Sequence, residues 1–317
     1  MPGARDDGRQ WDAAERRATR ERLRVDMRRR SSLGPRQTSA LDGLVHALKP
    51  DSMSRSYPTR QLLDYDLGTA RFPPSAMVVV GEPESATQMT WQVSGMGIFV
   101  HNAMWGSVRE AAQLWAAQRE AGAERPCVVA WLGYHPPGPW GALTGRTALR
   151  GGARLARHVE GWFQYRSRLG AAPPHTAVEA HSYGTVVAAR ALQILRRHEP
   201  PLSVDALVVS GAVGLPRDLA EDPGSLGLRE DQVYFALAQT DYLSRAGRWL
   251  SRRRPWERVT RLDVGADEQR NLTGAVGHNT SRHRPESGLL GRGYGYRDVG
   301  TASLHRIARA TAGLPLD

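Results

Sequence analysis

Thr176-Ala177-Val178-Glu179-Ala180-His181-Ser182-Tyr183-Gly184, running on into Thr185-Val186-Val187-Ala188-Ala189, decides the fold of this chain. Residues 176–180 read as a buried strand, and residues 186–195 carry apolar side chains at helical spacing. Ser182 stands between them, with Ala180 and Gly184 two positions to either side. A serine at a tight strand-to-helix turn matches the nucleophile elbow, G-x-S-x-G, with Ala180 in place of the first glycine. The flanking residues must be small because strand and helix approach closely there. The strained turn aims the serine Oγ out over the sheet. The competing reading is a plain turn serine.

Working outward, further strands are expected at residues 77–80, 88–94, 127–132, 206–209, 233–238 and 259–264. Helical patterns occupy residues 105–120, 149–165 and 303–311. Strands separated by helices of this length predict an α/β fold, with a doubly wound, mostly parallel sheet covered on both faces. Only residues 215–231 separate two core strands where a lid would be inserted, so the cap is small and the site accessible.

A serine hydroxyl is a weak nucleophile at neutral pH and needs a histidine base, which in turn needs a carboxylate to orient it. On this fold the acid and then the histidine follow the serine along the chain. Asp241 comes just after the strand at 233–238 and is the leading acid; the alternative is an exposed or helix-capping aspartate. Asp218 and Asp222 are the other acid candidates. Only His278, His283 and His305 follow Asp241. His278, preceded by Gly277 in a loop, is favoured as base; His283 lies between Arg282 and Arg284, and His305 falls within the last helix. Two N–H donors must meet the oxyanion. Tyr183, after the serine, supplies one, and Met96 in Gly95-Met96-Gly97 the other, with Gly97 as alternative. Val100 stands where G-x-G-x-x-G needs a small residue, so a dinucleotide site is not expected. His181 reads as structural, and His135 as either a pocket or a loop residue. No H-E-x-x-H occurs, and acyl transfer of this kind requires neither metal nor cofactor.

Composition agrees with an enzyme core. Apolar residues form 40% of the 317, enough for a sizeable core, with no run long enough to cross a membrane. The single Cys127 excludes an internal disulfide and a cysteine metal cluster, which suits a reducing, cytoplasmic setting. Net charge is +11, carried by 42 arginines and one lysine. Residues 1–36 hold eleven arginines against six acids. The expected organisation is therefore a basic N-terminal arm over 1–50, partly helical or disordered, and a domain over 57–317. The arm offers little apolar surface; Gly34 and Pro35 should end its helix, and residues 1–40 suit a polyanion or anionic membrane contact. The run Arg252-Arg253-Arg254 reads as a solvated face.

Four segments taken together, Gly95-Met96-Gly97, Ala130-Trp131-Leu132-Gly133-Tyr134, His181-Ser182-Tyr183-Gly184 and Asp298-Val299-Gly300-Thr301-Ala302-Ser303-Leu304, resemble an uncharacterised actinobacterial α/β-hydrolase family with a G-H-S-Y-G elbow. The resemblance spans residues 57–313, includes Gln61-Leu62-Leu63 and omits the arm. It implies Ser182 as nucleophile and His278 as the histidine after glycine. Ala180 departs from the family's glycine, and His135 from a common aspartate. The resulting expectation is a serine hydrolase, esterase- or lipase-like, acting on a small-molecule or lipid-like acyl substrate without cofactor. A hydrolase fold that has lost catalysis and binds polyanions through its arm is the alternative.

Overall fold

The computed structural model describes residues 8–49, 58–69, 71–138, 140–221, 223–281 and 293–316, the side chains of Thr144, Glu221 and Pro223 excepted. In chain order its main elements are α1 (Ala13–Arg28), α2 (Pro35–Ala47), β1 (Arg60–Asp66), β2 (Ser75–Val80), β3 (Gln88–Val93), α3 (Val100–Glu120), β4 (Pro126–Leu132), α4 (Gly141–Thr144) and α5 (Arg146–Arg168). They continue with β5 (His175–His181), α6 (Gly184–Arg196), β6 (Ala206–Ser210), α7 (Arg217–Glu221), β7 (Val233–Ala236), α8 (Tyr242–Leu250), β8 (Thr260–Leu262) and α9 (Ala302–Ala312).

The eight strands form one sheet in the order β1-β2-β4-β3-β5-β6-β7-β8. β2 runs antiparallel to both of its neighbours, and every pairing from β4 onward is parallel. Strand alternation divides the apolar side chains between two cores. Met77, Val79, Val129 and Trp131 face one, under α5 and α6; Val78, Val80, Val128 and Ala130 face the other, under α2, α3 and α9. Such two-sided burial is why these strands read as continuous apolar runs. Gly152 lets α5 press onto α6: a Cβ there would lie 2.5 Å from Arg190 Cβ.

The N-terminal segment corrects an expectation. Within the described residues it is two helices folded onto the domain. Trp11, fully buried, packs among Trp162, Trp91 and Tyr165, with ring centroids at 4.6, 5.9 and 6.3 Å. Ala40, Leu41, Leu44 and Ala47 bury one stripe of α2 completely. Arg16 reaches Glu84, Arg22 reaches Asp64 at 3.0 Å, and Tyr65 donates to Asp26 at 2.7 Å. A few large or well-spaced side chains suffice to dock a polar segment, and counting apolar residues overlooks them. α1 ends at Arg28, ahead of Gly34, and Pro35 then starts α2, since proline fits the first helical turn. Strand β1 also went unanticipated: Asp64 interrupts its alternation where the pairing with β2 bulges between Leu62 and Asp64.

Candidate active site

Ser182 follows the last residue of β5 and opens the turn into α6 with φ of +54°, the left-handed region that a serine occupies only when its surroundings enforce it. Its N–H donates to Ser210 O at 3.0 Å, tying the turn to β6. Gly184 must lack a side chain, because a Cβ would sit 2.7 Å from both the Val93 and Ser94 carbonyl oxygens. Gly95 lies over the serine, where a Cβ would come within 2.8 Å of Ser182 Cβ. Ala180 is fully buried, so its methyl is accommodated where a glycine is usual.

His278 arrives from the loop beyond β8. Gly277, at φ +70°, makes the preceding turn and donates its N–H to Thr240 Oγ1 at 2.9 Å. His278 Nε2 lies 2.8 Å from Ser182 Oγ. On the far side of the ring, Nδ1 lies 2.9 and 3.0 Å from the two Asp241 carboxylate oxygens. With His278 Nδ1–H donating to the Asp241 carboxylate, Nε2 is free to accept from the serine. All three side chains are buried.

Asp241 is fully buried just beyond β7. It is the N-cap of α8, accepting from Ser244 N at 2.9 Å, and it also faces His278. Tyr296 OH donates to Asp241 Oδ2 at 2.9 Å and accepts from Ala238 N at 2.8 Å. Ser244 Oγ lies 2.7 Å from Asp241 Oδ2, 2.7 Å from Gly211 O and 3.1 Å from His278 Nδ1. Burial pushes the Asp241 pKa up, but hydrogen bonds from His278 and Ser244 and the attraction of His278 outweigh it and hold the carboxyl below its ordinary range. Gly211, at φ +53°, leaves the room this needs: a Cβ there would be 3.0 Å from Asp241 Oδ2.

His181 stays out of the Ser182–His278 contact. Its ring lies 4.8 Å from that of His278 and 5.8 Å from that of Tyr296. Burial first, then His278 and Arg297, push its pKa well below the usual histidine value, so the ring is neutral.

Ser182 and His278 open onto a cavity of about 440 Å³ whose walls include Met96, Met104, Trp105 and Gly43. Gly43 belongs to α2, so the N-terminal helices contribute to the wall. Arg297 also lines it, paired with Glu110 at 2.8 Å and with Glu179 at 2.5 Å. Met96 is 40% exposed at this cavity, and Tyr183 begins the turn into α6. Among the described residues, no cluster of three or more His, Cys, Asp or Glu side chains is arranged to hold a metal ion.

The remaining candidates lie elsewhere. Asp218 pairs with Arg190 at the surface. His305 is half-buried on α9, and half-buried His135 packs near Phe72 with ring centroids 5.9 Å apart. Asp222 and His283 are outside the described residues. Arg253 is not simply solvated: it donates to Ala142 O at 2.6 Å and lies 5.3 Å above the Tyr183 ring. Ser244, Tyr296, Gly211, Glu110 and Arg297 went unread in the sequence. Only Ser244 carried a signal, three residues beyond a capping aspartate.

Several solved structures are similar to this chain at low identity. A hyperthermophilic esterase from the archaeon Pyrobaculum calidifontis has 12% identity and a TM-score of 0.42, covering 92% of this chain and 96% of that one. An arylesterase has 13% identity and a TM-score of 0.42, covering 82% and 88%. A variant of the feruloyl esterase module from Clostridium thermocellum has 14% identity and a TM-score of 0.40, covering 65% and 75%. No curated protein matches the chain. Residues 73–250, more than half of the sequence, match the family model described as alpha/beta hydrolase, and the chain belongs to that family.

Proposed function

We propose that this α/β hydrolase is a serine hydrolase that cleaves a carboxylic ester, or a related acyl bond, through an acyl-enzyme on Ser182. The observation that carries this is the unbroken hydrogen-bonded path from Asp241 through His278 to Ser182 Oγ, whose serine end opens onto a cavity. In the first half-reaction Ser182 Oγ attacks the acyl carbon while its proton passes to His278 Nε2. The N–H groups of Tyr183 and Met96 receive the oxyanion. Collapse breaks the bond to the leaving alcohol, which takes the proton from His278. Water then attacks the acyl-enzyme by the same route and releases the acid. Asp241 remains ionised throughout and stabilises the imidazolium.

Fluorophosphonate labelling tests the reading. The wild-type chain should be labelled on Ser182, and Ser182→Ala should lose both label and ester turnover, the latter by about 10⁶-fold. His278→Ala should cost nearly as much, and His283→Ala less than about tenfold. A folded wild-type chain that neither labels nor turns over esters would favour a catalytically silent binding module.

Kinship with the actinobacterial G-H-S-Y-G group and a lipid-like substrate belong to the same proposal. So does a cytoplasmic setting, which rests on the lone, buried Cys127. Among the described residues, no helix is long and apolar enough to cross a membrane. Polyanion contact through residues 1–40 draws less support, because Arg16, Arg22, Arg29 and Arg30 are each ion-paired.

A further inference from the structure

Helix α8 turns its apolar face outward. Tyr242, Ala246, Trp249 and Leu250 recur at the spacing of one helical face, and the three large ones are 68%, 78% and 61% exposed. The side toward the domain carries Ser244, buried beneath Asp241, and Gly247, which sits against Val213. A helix packed on a domain ordinarily does the reverse. Just beyond its C-terminal end, Arg253 holds α4 by the bond to Ala142 O, and there Trp140 is 84% and Leu143 43% exposed. The same Arg253 lies over Tyr183, so this surface begins beside the elbow.

The charge on this segment is one-sided. Residues 242–256 contain five arginines and no acid. Arg245, Arg252 and Arg254 are exposed, and among the described residues none of the three is ion-paired. We propose that α4 and α8 form a docking surface for an anionic lipid bilayer. Tryptophan and tyrosine settle at headgroup depth, where one end is apolar and the other wet. Leu143 and Leu250 enter the acyl boundary, as the apolar face of an interfacial helix does. The arginines meet anionic headgroups, each adding to the attraction within a Debye length. A second copy of the chain fits poorly, because a two-fold contact would set the same arginines against one another.

The test reads binding alone, so it stands apart from the chemistry at Ser182. The full chain is sedimented with vesicles of phosphatidylcholine, and with vesicles in which about one-third of the lipid is phosphatidylglycerol. It should partition to the anionic vesicles. The variant W140S/W249S/L250S keeps every charge and should bind at least about tenfold more weakly, and W249S alone should show part of that loss. R245Q/R252Q/R254Q should also weaken binding, by a margin that shrinks as salt rises. The proposal is overturned if the wild-type chain ignores anionic vesicles at low salt, or if W140S/W249S/L250S binds them as well as wild type. It is equally overturned if lipid-free wild type forms a dimer that these apolar substitutions abolish, which would assign the face to a second copy.

Discussion

Replacing Tyr296 with phenylalanine removes a single oxygen from a fully buried position, and the structure sets what that should cost. The hydroxyl accepts from Ala238 N at 2.8 Å and donates to Asp241 Oδ2 at 2.9 Å. Phenylalanine leaves the Ala238 N–H without this partner, and an orphaned buried donor costs about 1–3 kcal/mol. A hydrogen bond to an ionised carboxylate is worth about 1.5–3 kcal/mol, but only part of this is lost. Asp241 keeps the Ser244 N–H at 2.9 Å and His278 Nδ1 at 2.9 Å. The sum is about 2–4 kcal/mol of stability. With one donor gone, the Asp241 carboxyl is held less far below its ordinary range and orients His278 less firmly. The acid limb of kcat/KM should therefore move to higher pH, with a loss of about tenfold at neutral pH. That is far short of the roughly 10⁴-fold cost of losing the histidine tautomer altogether. Urea unfolding of Tyr296→Phe, together with a pH profile on a soluble ester, makes the check. A merely structural tyrosine would lower stability without moving the acid limb. A stability change below about 0.5 kcal/mol would refute the reasoning outright, because the orphaned N–H alone should exceed it.

Trp11→Ala should destabilise the protein by about 3–5 kcal/mol, as emptying a fully buried aromatic site does, and a urea midpoint equivalent to under about 1 kcal/mol would return residues 8–48 to the status of an appendage. Gly95→Ala should leave the fold intact but cut ester turnover by about a hundredfold or more, since the new methyl must displace Ser182 Cβ; near-normal turnover would show that the loop yields freely. His158 gives a pH dependence. Its Nδ1 accepts from Trp131 Nε1 at 2.8 Å, and burial, with Arg154 and Arg157, lowers its pKa to about 3. A histidine held neutral in this way stabilises fully above its ordinary pKa of about 6.5, and that contribution drains as pH falls below it, by up to about 1.4 kcal/mol per pH unit. His158→Gln keeps an acceptor for Trp131 and should flatten the decline in urea midpoint between about pH 6 and pH 4; an unchanged slope would show that this ring does not titrate there.

Local information was enough for the elbow and the sheet. A run of small and β-branched residues, a serine and a glycine two positions later specify the turn at Ser182 through sterics alone, and Gly184 is needed for the same reason in any fold that packs a strand so closely against a helix. The alternation of strands and helices then dictates a covered, mostly parallel sheet. Asp241 and His278 could be nominated because strand ends and glycine-preceded loops mark where side chains leave the sheet. Their partners depended on contacts between residues remote in sequence. Tyr296 reaches Asp241 across 55 positions, Arg297 joins Glu179 across 118, and Trp11 finds Trp162 in a segment that reads as polar. No periodicity announces such contacts, because each depends on where the sheet order brings two loops together, and that order is chosen by the packing of the whole chain. The outward face of α8 shows the same division. The spacing of Tyr242, Trp249 and Leu250 is written in the sequence, yet only the tertiary structure decides that Ser244 must turn inward to Asp241, and this requirement leaves the apolar side facing out.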